Sequence, residues 1–382
     1  MTYEVIVVGA GPSGAIAARD LARSGARVAL IDGSHPREKP CGGGVTGRAL
    51  DLADCALAGG RAITSVTFEA GARAVRVPLP DDRYLQVFPR AAFDAALVRQ
   101  AQDAGAELIP HRATKLTRTS GGWRVATATG SLDAGWLLGA DGAGGIVRKQ
   151  VFRPFTRSQI SIAAGSYVDA VETSEIVIAF VDQPRGYLWS FPRPGHLAVG
   201  TCAQADETSA DRMRSVTNDW LDRYGPAAER TRRAYSWPIP SLSGSDLAAE
   251  QPAGDRWMLL GDAAGLVDPI TREGIFFAIR SGQLAAAALG SADPAVGYSG
   301  SVRGDIHAEL RKAARLKAGF YRPRFTRLLV EALSASPSIR RVMIDLVAGR
   351  QPYRGLKRRL ISTLELRLMG RLVATNLGDR AS

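Results

Sequence analysis

The first 32 residues admit few folds. Tyr3 to Val8 is an apolar run that leads straight into Gly9-Ala10-Gly11-Pro12-Ser13-Gly14, an alanine-rich helical stretch follows, and a second apolar run, Arg27 to Ile31, ends on Asp32. This is the βαβ arrangement in which a dinucleotide pyrophosphate rests on a helix N-terminus, the glycines permitting a tight turn and close approach of the phosphates. Gly9, Gly11 and Gly14 are the fingerprint positions, and Asp32 is placed to accept hydrogen bonds from a ribose. Three glycines alone carry little; their setting between strand and helix, with an acid closing the second strand, makes the pattern specific.

Two later segments repeat one logic. Trp136-Leu137-Leu138-Gly139-Ala140-Asp141-Gly142 reads as a short buried strand ending in Asp-Gly, with Arg148 soon after, and Leu259-Leu260-Gly261-Asp262-Ala263-Ala264-Gly265 again delivers an aspartate to a strand end. Ligands of open α/β folds bind at such ends. One Asp-Gly pair is an ordinary turn; two, at this distance from the fingerprint, resemble the FAD-binding family that includes para-hydroxybenzoate hydroxylase. The resemblance implies FAD, held in part by Asp141 and Gly261, with Asp262 at the ribityl chain and pyrophosphate. Gly139-x-x-Gly142-x-Gly144 matches that family's Asp-Gly segment, so no separate NADPH domain is expected.

Near the middle stands Pro184-x-x-Tyr187-x-Trp189-x-Phe191-Pro192. Alternate residues of a strand share a face, so Tyr187, Trp189 and Phe191 form an aromatic row, either the wall of a substrate pocket or plain core. Together with Lys39-Pro40-Cys41-Gly42-Gly43-Gly44 and Glu273-Gly274-Ile275, the box resembles the geranylgeranyl reductases of archaeal lipid and chlorophyll biosynthesis, over roughly residues 1 to 300. The resemblance implies that Cys41, Gly42 and Gly43 lie in a flexible loop beside the isoalloxazine, with Gly274 and Ile275 also at the cofactor. In Arg90-x-x-Phe93-Asp94-x-x-Leu97 the arginine is implied to lie near the flavin nucleotide, a surface salt bridge being the alternative; Phe93 and Leu97 share a helical core face. One departure stands out: Arg272 precedes Glu273 where the family usually has glycine, so either the turn differs or Arg272 has a polar task such as reaching a phosphate.

The implied activity is saturation of isolated C=C bonds in a polyprenyl chain. Reduced FAD would deliver hydride to one carbon while a proton reaches the other, and aromatic faces would ease the positive charge at the branched carbon by roughly 0.5 to 2 kcal/mol each. Tyr187 and Trp189 suit that role, and equally suit apolar packing of the chain. No family motif contains any of His35, His111, His196 or His307, which leaves Tyr187, Cys41, water or the reduced flavin as proton donors, Cys41 being otherwise a small buried hydrophobe. The external electron donor is open between NADPH, ferredoxin and another reductant. The enzymatic rival is an FAD-dependent halogenase or monooxygenase: halogenases carry Gly-x-Trp-x-Trp-x-Ile-Pro, where this chain has Gly186-Tyr187-Leu188-Trp189-Ser190-Phe191-Pro192. A non-catalytic lipid-binding protein on a vestigial flavin fold is disfavoured by the intact cofactor motifs.

A chain of 382 residues, 46% of them hydrophobic, can bury a large core in two or more domains. It has no apolar run of about 18 residues, so no membrane span is expected, and with the first strand starting at once no signal peptide is expected either. Cys41, Cys55 and Cys202 are odd in number and widely spaced, against a disulfide framework or zinc site and in favour of the cytoplasm. Residues 301–382 hold 18 basic and 6 acidic groups, which accounts for the whole formal charge of +12. There Ser336 caps a helix with Pro337 first, Ile339, Val342, Met343, Leu346 and Val347 at helical spacing and Gly349 as stop; a second stretch aligns Leu356, Leu360, Leu364 and Leu368 beside Lys357, Arg358 and Arg359. These helices either cover the FAD domain with a solvated basic face or attach peripherally to anionic lipid on the inner face of the membrane; nucleic acid is not expected. The expected fold is α/β: a discontinuous Rossmann-like FAD domain (1–155 and 251–300), an antiparallel-sheet substrate domain (156–250, with a contribution from 66–88) roofing the flavin, and a basic helical C-terminal region (301–382).

Overall fold

The computed structural model describes residues 2–363 other than 55, 56, 58, 82, 83, 228 and 229. Cys55, Leu364 and Leu368 therefore lie outside the described residues.

The amino-terminal reading appears as one parallel layer. Strand Thr2–Val8 pairs on one side with Val28–Ile31, which continues to Glu107–Ile109, and on the other with Gly130–Gly139, which continues to Trp257–Leu259. All four pairings are parallel, so the helices between them cover the faces and the strands read as near-continuous apolar runs: Val5 to Val8 and Val28 to Ile31 are buried without a gap. Helix Pro12–Arg23 packs on helix Ile275–Leu289, where Gly282 lets the two backbones meet: a Cβ there would come within 2.5 Å of the Ser13 carbonyl oxygen. The chain thus leaves this layer after Gly139 and returns to it at Trp257. Arg148 and Glu250 fasten the return, each 1% exposed and joined by hydrogen bonds of 2.7 and 2.9 Å.

The second layer is a seven-stranded sheet in the order Arg232–Pro240, Ile160–Asp169, His196–Gln204, Gly186–Arg193, Glu175–Val181, Ser65–Ala70, Arg73–Pro78. Its last two strands come from the 66–88 region, and Ser65–Ala70 pairs in parallel with Glu175–Val181, so the sheet is not purely antiparallel. The aromatic strand is one arm of a hairpin: Gly195, at φ +84°, turns Gly186–Arg193 back onto His196–Gln204. One sheet face packs under helix Ala210–Arg223 through Leu188, Val199 and Leu221, and Thr201 and Thr217 share a buried hydroxyl pair at 2.9 Å. The other face carries Tyr187, Trp189 and Phe191.

Two expectations for the carboxyl-terminal region need correction. A boundary at 300/301 falls inside an unbroken helical run from Pro294 to Phe320, because Tyr298, Val302, Ile306 and Leu310 keep helical spacing and all enter the core of the FAD domain. Farther on, helices Pro323–Ala335 and Pro337–Val347 cover the seven-stranded sheet rather than the FAD domain, packing Leu329, Leu333, Ile339 and Met343 against Val66, Phe68 and Ile176. The expected helix itself forms as read: Ser336 Oγ accepts from the Ile339 N–H at 3.2 Å, and Gly349 stands just past the end at φ +74°.

Candidate functional site

Four parallel strands end on one side of the first layer, and Gly9, Asp32, Asp141 and the turn Gly261–Ala264 follow directly from those ends. They face the Tyr187 side of the second sheet across a cavity of about 800 Å³, lined by both layers.

The glycines divide into those that pack and those that leave room. Gly9 sits at φ +104°, and a Cβ on it would lie 2.3 Å from the Ala140 carbonyl oxygen; on Gly14 it would lie 1.9 Å from the Gly9 carbonyl oxygen. These two close the turn. Gly11 opens on space, its nearest neighbour being His35 Nε2 at 4.0 Å, and nothing lies within 4 Å of the Cβ positions of Gly142 and Gly144. Helix Pro12–Arg23 begins there with no side chain capping its first amides. Open glycine backbone beside an uncapped helix N-terminus is a cradle for a pyrophosphate.

The acids are held in place by their own loops. Asp32 accepts from the Ala10 N–H at 2.9 Å and from the N–H and hydroxyl of Ser34, both at 2.7 Å. Burial pushes its carboxyl up, but the Ala10 and Ser34 hydrogen bonds prevail and hold it below the usual range. Asp141 accepts from the Val147 N–H at 2.9 Å with one oxygen, while among the described residues Oδ1 has no hydrogen-bond partner; burial pushes this carboxyl up to about 6. Arg148 reaches the Ala263 carbonyl at 3.1 Å besides its Glu250 pair, fixing the Gly261–Ala264 turn. Asp262 in that turn forms an ion pair with Lys39 at 2.9 Å. Gly274 begins helix Ile275–Leu289, and Glu273 accepts from the Phe276 N–H at 2.7 Å, so the helix N-terminus with Gly274 and Ile275 opens on the cavity.

The loop Lys39–Gly44 runs beneath the second sheet. A Cβ on Gly42 or Gly44 would come within 2.9 or 2.7 Å of the Phe191 ring. These glycines therefore admit the Phe191 ring, which lies on the loop. Gly43, at φ +83°, turns the chain between the Phe88 carbonyl and Arg193. Arg193, fully buried, donates to Glu38, to the Cys41 carbonyl and to the Gly42 carbonyl at 3.2 Å, while Glu38 accepts from the Arg90 and Ala91 N–H groups. Burial lowers the Arg193 pKa to about 10. Cys41 Sγ lies 3.5 Å from Arg90 Nη1 and 3.7 Å from Arg193 Nη2. The surface salt bridge considered for Arg90 is a buried one: Arg90 is 3% exposed and grips Asp94, one helical turn on, at 2.9 and 2.8 Å.

In the roof, Tyr187, Trp189 and Phe191 all reach the cavity, with Ile178 and Phe180 of the adjacent strand and Phe320 and Tyr321 from the C-terminal side. Gly200, opposite Trp189, makes room for the indole: its Cβ would lie 2.5 Å from Trp189 Cζ2. Tyr187 stacks on Tyr321 with centroids 6.1 Å apart, and its hydroxyl donates to the Thr271 carbonyl at 2.8 Å. Burial raises its pKa well above the ordinary value. A phenol whose proton is already given to a carbonyl and whose anion is disfavoured is a poor acid. In this arrangement Tyr187 is a wall of the cavity and a tie between roof and floor.

The family described as an FAD binding domain matches residues 2–294. The chain belongs to that family. A geranylgeranyl diphosphate reductase from Rhodobacter capsulatus is 31% identical over 305 residues, covering 75% of each chain. A menaquinone reductase from Mycobacterium tuberculosis is 29% identical over 321 residues, covering 76% of this chain and 77% of its own. Among solved structures, a geranylgeranyl bacteriochlorophyll reductase-like protein from Thermoplasma acidophilum superposes with a TM-score of 0.80 at 21% identity, covering 95% of this chain and 99% of its own. A flavin-dependent brominase gives 0.67 at 20%, covering 91% and 94%. The protein is an FAD-dependent oxidoreductase, and the open cradle at Gly11, Gly142 and Gly144 fits the pyrophosphate that FAD brings.

Arg193, Glu38 and Tyr321 escaped the sequence reading. Arg193 directly follows Pro192 of the aromatic box, and a charge on an otherwise apolar strand was the available signal. Nothing local marks Glu38 or Tyr321, whose roles arise only from tertiary packing.

Proposed function

We propose that this oxidoreductase saturates isolated C=C bonds of a polyprenyl chain. The observation that carries the reading is the aromatic and aliphatic compartment above the cofactor-binding strand ends, where Tyr187, Trp189, Phe191, Ile178, Phe180 and Phe320 enclose one continuous cavity with the Gly11 cradle. The relative named as a geranylgeranyl diphosphate reductase supports it. When bound and reduced, FAD supplies the hydride.

The chain's own residues hold and shield. Gly11 with the first turn of helix Pro12–Arg23 would take the pyrophosphate, and Gly9 and Gly14 shape that turn. Asp32 would bind the ribose, and Asp141, Gly261 and Asp262 the ribityl and phosphate region. Cys41, Gly42 and Gly43 above, with Gly274 and Ile275 at the helix N-terminus, would flank the ring system, and Arg90 would stiffen the Cys41 loop through its sulfur contact. Tyr187, Trp189 and Phe191 exclude water from the alkene and place ring faces where positive charge develops at the branched carbon. Cys41 would serve as a proton donor beside the ring system, with water and the reduced flavin as the other sources. Electrons come from an external donor, NADPH, ferredoxin or another reductant.

Among the described residues no helix is long and apolar enough to cross a membrane. The exposed Lys357 and Arg358, with Arg341, support peripheral contact with an anionic membrane face. Arg359 is not part of that patch, being paired with Asp345.

Anaerobic turnover of the chemically reduced holoenzyme with a geranylgeranyl substrate, followed by mass spectrometry, tests the function. A gain of two hydrogens per double bond is expected. Unchanged prenyl mass, with halide or oxygen incorporated into an aromatic substrate in air, would transfer the protein to the halogenase or monooxygenase reading.

A further inference from the structure

Arg272 occupies a position that glycine fits better. Its backbone lies at φ +60°, in the left-handed region that side chains avoid. The turn that imposes this angle is fixed from several sides. The Asp268 carboxylate accepts from the Ile270 and Thr271 N–H groups at 2.7 and 3.1 Å, the Arg272 N–H donates to the Asp268 carbonyl at 3.0 Å, and Tyr187 and Tyr321 donate to the Thr271 and Ile270 carbonyls. The side chain goes into the cavity wall beside Tyr321, whose ring centroid is 5.9 Å from Arg272 Cζ. There, among the described residues, Nε and Nη1 have no hydrogen-bond partner and no carboxylate pairs with the guanidinium, whose polar neighbour is the Cys202 thiol.

A second cation lies behind the first. Among the described residues Lys317 Nζ is held by neutral oxygens, those of Gln204 at 2.8 Å and Ser241 at 2.6 and 3.3 Å. Its pKa is lowered to about 7, by burial first and then by Arg272. A strained backbone carrying a guanidinium without a carboxylate counter-ion to the wall of an apolar chamber is costly twice over, and an anion in the chamber would relieve the electrostatic half.

We infer that Arg272 is the receptor for an anionic group of the substrate, a carboxylate or a phosphate, which seats against the edge of its guanidinium that lines the cavity while the hydrocarbon lies along Phe180, Trp189 and Phe320. This deepens the reading of the cavity as the substrate chamber and rests on it. A guanidinium fork matches either planar carboxylate or phosphate oxygens, so the shared chemistry is an oxyanion.

The test is equilibrium binding to the FAD-loaded full chain, read by titration calorimetry and perturbation of the flavin spectrum. The ligands are geranylgeraniol, geranylgeranoic acid and geranylgeranyl diphosphate, with decanol and decanoate as a straight-chain pair. An anion should bind at least about tenfold more tightly than its alcohol, and Arg272→Gly should abolish that preference with flavin content and alcohol binding unchanged, since glycine accepts the φ +60° turn. Arg272→Lys should keep part of the preference. The acid and diphosphate arms separate a carboxylate from a phosphate ligand. Equal binding of alcohol and anion, no binding of any of the five compounds, or a preference that survives Arg272→Gly would overturn the inference. Anion preference for decanoate alone, with no prenyl compound bound, would keep the anion receptor and refute the polyprenyl substrate.

Discussion

The pair Arg148–Glu250 joins the two halves of the FAD domain, and its removal should be severe yet non-additive. Both side chains are 1% exposed, two hydrogen bonds connect them, and Arg148 also holds the Ala263 carbonyl of the Asp262 turn. Arg148→Met leaves Glu250 charged and buried with no counter-ion, which costs about 3 to 5 kcal/mol, and Glu250→Leu strands Arg148 to a similar extent. Independent effects would sum to roughly 6 to 10 kcal/mol in the double variant. The double variant Arg148→Met/Glu250→Leu contains no stranded charge, so it should be no less stable than either single variant. Urea unfolding of the four proteins in the double-mutant cycle measures this, with FAD retention followed in parallel. Single losses below about 1 kcal/mol, or a double variant that shows the full sum, would refute a desolvated interlock.

Asp262→Ala should weaken FAD retention and free Lys39, so flavin occupancy after dialysis should fall; unchanged occupancy would remove Asp262 from the cofactor shell. Trp189→Ala and Tyr187→Ala should lower turnover with FAD still bound, and Tyr187→Phe, which loses only the Thr271 tie, should be milder; flavin loss alongside activity would contradict their place on the substrate side. Asp141 gives a pH signature. Its folded pKa of about 6 lies above the ordinary 3.8, so its stabilising contribution is full below pH 3.8 and is lost as pH rises through about 6. Asp141→Asn should therefore gain stability relative to the parent between pH 4 and 7, measured as urea midpoints; a pH-independent difference would show that burial does not govern this carboxyl.

The sequence was most legible where a backbone requirement is local. Gly9 and Gly14 meet atoms closer than any Cβ tolerates, so only glycine could stand there, and the surrounding strand and helix follow from periodicity. The Ser336 cap was readable for the same reason, since its partner is three residues away. Alternation placed Tyr187, Trp189 and Phe191 on one face, but which layer they faced, and that Phe191 rests on Gly42 and Gly44, depended on a contact some 150 residues apart in sequence. Arg90 illustrates the same limit. Its i,i+4 partner Asp94 was visible in the pattern, whereas its burial was set by the Cys41 loop folding over it. Arg272 marked itself by standing where glycine was expected, and the structure keeps the glycine-like turn with the arginine in it.

The most direct measurement is a crystal structure of the holoprotein with a prenyl compound bound. The pyrophosphate should lie at Gly11 and the first turn of helix Pro12–Arg23, the isoalloxazine between the Cys41–Gly43 loop and Gly274, and the hydrocarbon against Trp189 and Tyr187. A ring system outside that gap, or a prenyl chain bound away from both aromatic side chains, would contradict the assignment.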